Sequence, residues 1–495
     1  MTEFELKLEI PPRRLAGLLA ALREGKVRSR RMQAIYFDTQ DGSLAGAGIV
    51  VRVRKEGRAW VQTAKCAGGS TLERLEHNVL LGAVPGAEVP DVSLARHAGT
   101  AVGDRITQAL RLRSLDGPVA LVSTFETDVQ RLTRTIDDTQ SMVELALDRG
   151  KVRAGAAQAD LCEIEFELLE GHPASAVRLA QRWLAAHGLW LNSVSKAEKG
   201  HRLAAGQAFG PPVGAAAPHL GRHPKGAEIG KAVVRACLDQ VLGNASEVGA
   251  GSANAEHIHQ LRVGIRRLRT ALRELSSLVP GVDPAHEAAL VDAFRVLGSH
   301  RDRTHLEQGI QPLLEAQGGP RIDFGRIGEL PDAQAAVRSQ AFQDALLGLL
   351  ALAHSGPAAE GADIDSAKAL ELLRSRLEKL HRQVVKDGQR FQRLDEVSQH
   401  RLRKRLKRLR YLAEFVAPLF AARKGREFIA ALKPVQDALG LYNDESMALD
   451  AYRRLAEREP GAWFGVGWLK ARVAANVADC QRELERFAKA RPFWH

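Results

Sequence analysis

The sequence predicts an α+β chain of two unlike parts: antiparallel sheet over about the first 205 residues, and an all-helical region beyond about residue 225. Three observations carry that prediction. The first part is filled with alternating or β-branched runs separated by Gly and Asp turns. The stretch GQAFGPPVGAAAPHLGRHPKG (206–226) is rich in Gly, Pro and Ala without periodicity, and reads as a linker. Beyond it the pattern is helical, and two motifs recur in the same order about 140 residues apart, which argues for a duplicated helical bundle.

The opening MTEFELKLEI alternates strictly. Glu3, Glu5, Lys7 and Glu9 share one side of an extended strand, and Phe4, Leu6, Leu8 and Ile10 the other. Further strands are expected in AIYFDT (34–39), GIVVRVRKEGRAWVQTAK (48–65), RLEHNVLL (74–81), ALVSTFETDVQRLTRTID (120–137), SMVELALDRG (141–150) and LCEIEFELLEG (161–171). Arg52 and Arg54 lie opposite Val51 and Val53; Arg74 shares a face with Glu76, and Glu144 with Ala146 and Asp148. Glu163, Glu165 and Glu167 lie opposite Ile164, Phe166 and Leu168. A wetted sheet face accounts for any one of these strands. The set is unlike a wetted face, because arginine pairs and carboxylate triplets are segregated on different strands. Closing such a sheet with its charge inward gives a lumen with acidic and basic zones. Carboxylate oxygens suit Mg²⁺ or Mn²⁺, and Arg forks and Lys charges suit phosphate oxygens.

In the helical part, HQLRVGIRRLR starts at His259 and HRLRKRLKRLR at His400, while LGSHRD at Leu297 is answered by LGLYND at Leu439. Arg262, Arg266, Arg269 and Arg273 form a basic stripe beside Leu261, Ile265, Leu268 and Leu272. Arg403, Lys407 and Arg410 repeat it beside Leu402, Leu406 and Leu409. One such stripe is accounted for as the solvated face of a packed helix, whereas two matching stripes point to a shared anionic ligand. Lys404 and Arg405 stand where the first copy has Val263 and Gly264, making the second helix basic nearly all round. Isolated histidines among arginines suit phosphate contact or a structural hydrogen bond better than metal coordination.

Across 495 residues, 71 Lys and Arg against 59 Asp and Glu give a net charge of +12, which favours a polyanionic partner: nucleic acid, an anionic membrane or polyphosphate. Aromatic residues, at 5%, are sparse for base-stacking platforms. No apolar run approaches the roughly 18 residues of a membrane span, and the four cysteines form no C-x-x-C pair. With an acidic, strand-like start in place of a secretory signal, the cytoplasm is the expected location.

The stretch Glu3-Phe4-Glu5-Leu6-Lys7 resembles the E-x-E-x-K signature of the CYTH family, the triphosphate tunnel metalloenzymes. YFDT at Tyr36, RVR at Arg52, TAK ending at Lys65, RLE at Arg74, ELALDRG at Glu144, EIEFEL at Glu163 and SKAEKGHRL at Ser195 follow in the family's order. The resemblance, over residues 1–205, implies an eight-stranded antiparallel β-barrel whose tunnel binds a linear triphosphate. It implies that Glu3 and Glu5 help hold one Mg²⁺ or Mn²⁺, and that Glu163, Glu165 and Glu167 hold another. Lys7, Arg52, Arg54, Lys65, Arg131 and Lys196 would grip the phosphates, and Arg74 matches a further lumenal position. Glu5, Lys7, Glu165 and Lys196 are the expected catalytic set. A bulge in VQRLTRT would exchange Arg131 for Arg134. Metal-bound water, or a lumenal Glu acting as base, would supply the nucleophile.

The helical part is similar to the CHAD domain, a conserved-histidine α-helical domain often found downstream of CYTH. That resemblance implies two four-helix bundles with a basic groove for inorganic polyphosphate, formed by His259, Arg262, Arg266, Arg269, Arg273, His400, Arg403, Lys407 and Arg410. The expected domains are 1–205, a linker 206–224, and 225–495 with repeats 225–360 and 361–495. The expected activity is hydrolysis of inorganic tripolyphosphate to pyrophosphate and phosphate, with a polyphosphate-binding domain and association with polyphosphate granules. Alternatives are a non-catalytic polyphosphate binder, a thiamine triphosphatase, an adenylate cyclase, or nucleic-acid binding by the basic stripes.

Overall fold

A computed structural model describes residues 2–68, 72–83, 89–112, 114–115, 119–137, 141–356 and 363–495. The expected repeat boundary at 360/361 lies outside the described residues. Strands β1 (Thr2–Glu9), β2 (Arg28–Asp38), β3 (Ile49–Glu56), β4 (Ala59–Ala67), β5 (Glu73–Gly82), β6 (Val122–Asp137), β7 (Met142–Ala154) and β8 (Ala157–Glu170) run in the order β5-β4-β3-β2-β6-β7-β8-β1. Pairing of β1 with β5 closes them into an eight-stranded antiparallel barrel. The two-residue β9 (Trp190–Leu191) adds to β1. The run 48–65 is a hairpin of two strands that turns at Gly57, whose φ of 65° is accessible to glycine at no steric cost.

The apolar side of the alternation faces outward under helices. Phe4, Leu6, Leu8, Ile164 and Phe166 are buried, and α4 (Pro173–His187) packs against β1 and β8, with Trp183 edge-on to Phe166. Pro173 opens that helix and Gly188, at φ 59°, closes it. On the other flank, Ile49, Val51, Ala64 and Cys66 pack with Leu94, Val102 and Ile106, which come from the segment leading to and through α3 (Ala101–Ala109). The charged side faces inward, as the segregation of arginines and carboxylates predicts. Helices α1 (Leu15–Leu22), α2 (Ser43–Gly46) and α5 (Lys196–Ala204) complete residues 1–213.

The helical region comprises α6 (Gly226–Gly249), α7 (Ala255–Glu274), α8 (Pro284–Thr304), a π-helical turn (His305–Ile310), α9 (Gln311–Ala316), α10 (Ala333–Arg338), α11 (Gln340–Ala353), α12 (Ser366–Gly388), α13 (Glu396–Val416), α14 (Ala422–Ala456) and α15 (Ala462–Phe487). Two compact units emerge. One contains Met1–Val213 together with Asp239–Ser252 and Val337–Gly356, and the other Gly214–Leu238, Ala253–Ala336 and Pro357–His495. Among the described residues no helix is long and apolar enough to cross a membrane.

Candidate active site and basic cluster

The barrel register sets charge against charge. Across β1 and β8, Glu5 stands opposite Glu167, Lys7 opposite Glu165 and Glu9 opposite Glu163. Arg131 faces Asp148, Lys65 faces Glu76, and Glu3 faces Arg74. Inside lies a cavity of about 1560 Å³. Its lining includes the carboxylates Glu3, Glu5, Glu165 and Glu167, and the cations Lys7, Arg52, Arg54, Lys65, Arg74, Arg131 and Lys196; Glu76 and Glu144 also contribute. Twelve of the residues read from the strands, with Lys196 from α5, thus meet in one space.

Their pairing falls into zones. Lys65 bonds Glu3 at 2.6 Å and also pairs with Glu76. Arg131 bonds Asp148 and Glu165, each at 2.6 Å. Lys196 bonds Asp148 and Glu163 at 2.8 Å and also pairs with Glu165. Arg54 pairs with Glu56; the Nη1 of Arg52 donates to the Tyr36 hydroxyl at 3.3 Å. The Nε of Arg52, the Nε of Arg54 and the Nζ of Lys7 are buried without a hydrogen-bond partner, so donor capacity is left over at the basic end. Arg131 takes the lumenal place, while Arg134 turns away to donate to the Ala21 carbonyl at 2.9 Å.

Glu163 departs from its expected role beside a metal. It is completely buried, does not line the cavity, and is surrounded by Lys7 at 3.6 Å, Lys196 at 2.8 Å and Lys199 at 2.8 Å. Three ammonium groups on one carboxylate make it an anchor for lysines. Lys199 was not singled out from the sequence, although SKAEKG contains its signal. Ser195 caps α5 by accepting from the Glu198 amide at 3.1 Å, and residues three apart share a helix face, so Lys196 and Lys199 reach Glu163 together. Gly200 lets this helix sit on Phe125, since a Cβ there would lie 2.1 Å from the ring. Lys199 also holds Glu9, to which Asn192 donates at 2.8 Å.

The electrostatics separate the carboxylates. Burial, then the hydrogen bond with Glu76, pushes Glu3 up to about 7; burial, then the charge of Glu165, pushes Glu5 up to about 8. Glu167 is raised by burial and by Glu5. Against the opposing effect of burial, Lys196, Lys7 and Lys199 hold Glu163 down to about 2, and Lys196 and Arg131 hold Glu165 well below the usual carboxylate range. Lys7 is lowered by burial.

Glu5 and Glu167 form no ion pair among the described residues, and burial with neighbouring carboxylates raises both, so each holds its proton more tightly than a free carboxyl. Hard oxygen donors in that condition fit a divalent cation. Among the described residues no three metal-ligating side chains are already gathered into a shell; Glu3 and Glu165 are drawn onto Lys65, Arg131 and Lys196 instead.

In the second unit, α7 and α13 carry the two basic stripes. Arg262 donates to the Phe294 carbonyl at 2.9 Å and lies 4.3 Å from the centre of its ring, and Arg403 donates to the Leu439 carbonyl at 3.2 Å. The repeats therefore make matching helix-to-helix bonds. Arg262, Arg266, Arg403 and Lys407 come together with Arg301, which bonds Asp444 at 2.6 Å. Arg301 and Asp444 were missed, although LGSHRD and LGLYND contain them. Burial, then Arg266 and Arg403, pushes Lys407 down to about 6. The Nε of Arg266 is buried without a partner.

Arg269, Arg410 and Arg273 lie apart from this centre, whereas His259 and His400 border it. Arg269 pairs with Glu287 at 3.2 Å, Arg410 pairs with Glu414, and Arg273 is exposed. His259 and His400 are exposed near the N-terminal ends of α7 and α13; Arg266, Arg301 and Arg262 are the cations that act on His259, and Lys404, Arg403 and Lys407 those on His400. The all-round basicity of α13 is partly neutralised, since Arg405 pairs with Asp387 and Arg408 bonds Glu274 at 2.6 Å.

A closed antiparallel barrel with opposed carboxylates and cations inside, and helices with paired basic stripes, define the class. Residues 1–201 match the CYTH domain and residues 232–453 the CHAD domain, so the chain carries a CYTH domain followed by a CHAD domain. An inorganic triphosphatase of Haemophilus influenzae is 26% identical over 213 residues, a match spanning 42% of this chain and 56% of that protein. Among solved structures, the CHAD domain from the plant Ricinus communis aligns with a TM-score of 0.43 and 27% identity, over 56% of this chain and 96% of that one. The Hippeastrum protein HpAC1, for which a dominant triphosphatase activity is described, aligns with a TM-score of 0.30 and 20% identity, over 42% of this chain and 97% of that one.

Proposed function

We propose that the chain is a divalent-cation-dependent inorganic triphosphatase that splits tripolyphosphate into pyrophosphate and phosphate, with residues 225–495 binding longer inorganic polyphosphate. The observation that carries the reading is the coexistence, in one cavity, of buried carboxyl groups outside any ion pair, Glu5 and Glu167, and arginines with unspent donors, Arg52 and Arg54. A metal–polyphosphate complex supplies both deficits at once.

In this account Glu5, Glu165 and Glu167, with Glu3, hold Mg²⁺ or Mn²⁺, which neutralises phosphoryl charge and lowers the pKa of water when bound. Arg52, Arg54, Lys65 and Arg131 would grip phosphate oxygens, the last three trading their carboxylate partners for substrate. Lys196 balances charge on the leaving phosphate, and Arg74 extends the grip toward β5. Lys7, whose Nζ is buried at the cavity wall without a hydrogen-bond partner, would donate to a phosphate oxygen. Glu163 fixes the direction of Lys7, Lys196 and Lys199.

The test is one phosphate-release assay across tripolyphosphate, ATP, thiamine triphosphate and long-chain polyphosphate with Mg²⁺ or Mn²⁺. Tripolyphosphate is expected to be preferred. Preference for ATP or thiamine triphosphate would refute the inorganic assignment.

In the second unit, Arg262, Arg301 and Arg403 stand by Asp444, with Arg266 and Lys407 beside them, an excess of positive charge that fits a polyanion. The double variant Arg266→Ala/Lys407→Ala is expected to weaken polyphosphate binding at least tenfold. Tighter binding of duplex DNA than of polyphosphate at matched salt would overturn that assignment.

A further inference from the structure

We infer that Ser246 and Glu247 of α6, which lie in the CHAD-matched part of the sequence, are positioning residues for the segment that brings lysine into the barrel cavity. The inference rests on the proposed function for its catalytic meaning, but its structural content stands separately.

Residues 190–204 have to place two ammonium groups among buried carboxylates, and have little structure of their own with which to do it. β9 is two residues long, 192–195 are irregular, and α5 has nine residues, too few to be stable alone. Barrel contacts hold one side. The Asn192 amide donates to the Lys7 carbonyl at 3.1 Å, and Lys196 and Lys199 bond Glu163.

Polar groups from outside the CYTH-matched residues hold the other side. The Ser246 hydroxyl accepts from the Ser193 amide at 2.9 Å. Glu247 pairs with Arg202 at 2.6 Å. Further along the chain, Asn244 accepts from the Val213 amide at 3.1 Å and donates to the Val213 carbonyl at 2.9 Å, tying the stretch that follows α5 to the same helix. From α11, Gln343 accepts from the Leu191 amide at 2.7 Å. Asn244, Ser246, Glu247 and Gln343 are each at most 3% exposed. All belong to the same compact unit as the barrel.

Helix-to-helix packing alone calls for apolar side chains at such positions. Buried amide, hydroxyl and carboxylate groups are costly unless they are satisfied, and here the Ser246 and Gln343 oxygens and the Glu247 carboxylate take the Ser193 amide, the Leu191 amide and Arg202 of the segment carrying Lys196. Leu242, one turn before Ser246, lines the cavity itself. The same helix thus walls the cavity and sets the path of its lysines.

The test compares the full chain with its Ser246→Ala/Glu247→Gln variant by hydrogen exchange and by steady-state kinetics. Exchange in residues 190–204 is expected to quicken about tenfold, as follows from loss of one or two buried hydrogen bonds, with β3 and β4 unchanged. The kcat on tripolyphosphate is expected to fall about tenfold with KM changed less than about threefold, and Glu247→Asp to recover part of the loss. Unaltered exchange in 190–204, or acceleration spread evenly over the barrel, would overturn the inference. If the double variant does not fold, Ser246→Ala alone is read by the same criteria. An unmodified chain inactive on tripolyphosphate would defeat the proposed function, while the exchange comparison would still decide the positioning role.

Discussion

Glu5 and Lys407 are the residues at which burial and like charge meet most sharply, and each makes a pH prediction. Glu3 and Glu5 rise from 4.5 to about 7 and about 8. Between pH 4.5 and 8 the metal-free folded chain therefore keeps protons that the unfolded chain has released, so these two groups lower stability as pH rises through that window. Glu76 and Glu163, held near 2, act oppositely: the stability they contribute is present above 4.5 and lost as pH falls toward 2. If Glu5 is a metal ligand, as proposed, Mg²⁺ would compete with its proton, so the rise in Tm produced by saturating Mg²⁺ is expected to be larger at pH 8 than at pH 5.5. Equal increments in the two melts would count against Glu5 as a ligand. Lys407, lowered from 10.5 to about 6, is neutral at pH 8 in the folded chain. A bound polyanion favours its ammonium form. Polyphosphate binding at pH 8 is accordingly expected to take up a proton, read as a dependence of calorimetric binding heat on the ionisation enthalpy of the buffer.

At the scale of elements, the strands were the most legible features. Strict alternation in β1, and arginines and carboxylates confined to one parity in β3 and β8, mark the inner face before any pairing is known. The site residues on those strands were legible with it, because parity alone decides which way a strand side chain points. What the sequence did not expose depends on distance in space. Glu163 has the parity of a lumenal ligand, but three lysines close over it, two of them from α5. Arg301 lies outside both stripes and joins them only because α8 and α14 bring it to Asp444. The paired stripes of α7 and α13 showed in the repeat, yet helical periodicity cannot tell which cations remain free, and Arg269 and Arg410 are taken by Glu287 and Glu414.

At the scale of the molecule, the compact units divide within the Gly- and Pro-rich linker, between Val213 and Gly214, but not there alone. Asp239–Ser252 and Val337–Gly356 join the barrel unit although their sequence is as helical as the rest of the second half. Composition and period are the same on both sides of such a division, so only packing reveals it. The CYTH-matched residues alone therefore lack partners of the segment that carries Lys196. The central claim is that one barrel cavity holds metal and triphosphate together and hydrolyses the anhydride. Its most direct test is phosphate release from tripolyphosphate by the full chain with Mg²⁺ or Mn²⁺, beside Glu165→Gln and a chelator control. The account predicts release that the chelator abolishes and that Glu165→Gln lowers at least about a hundredfold; absence of release, or release indifferent to both treatments, would contradict it.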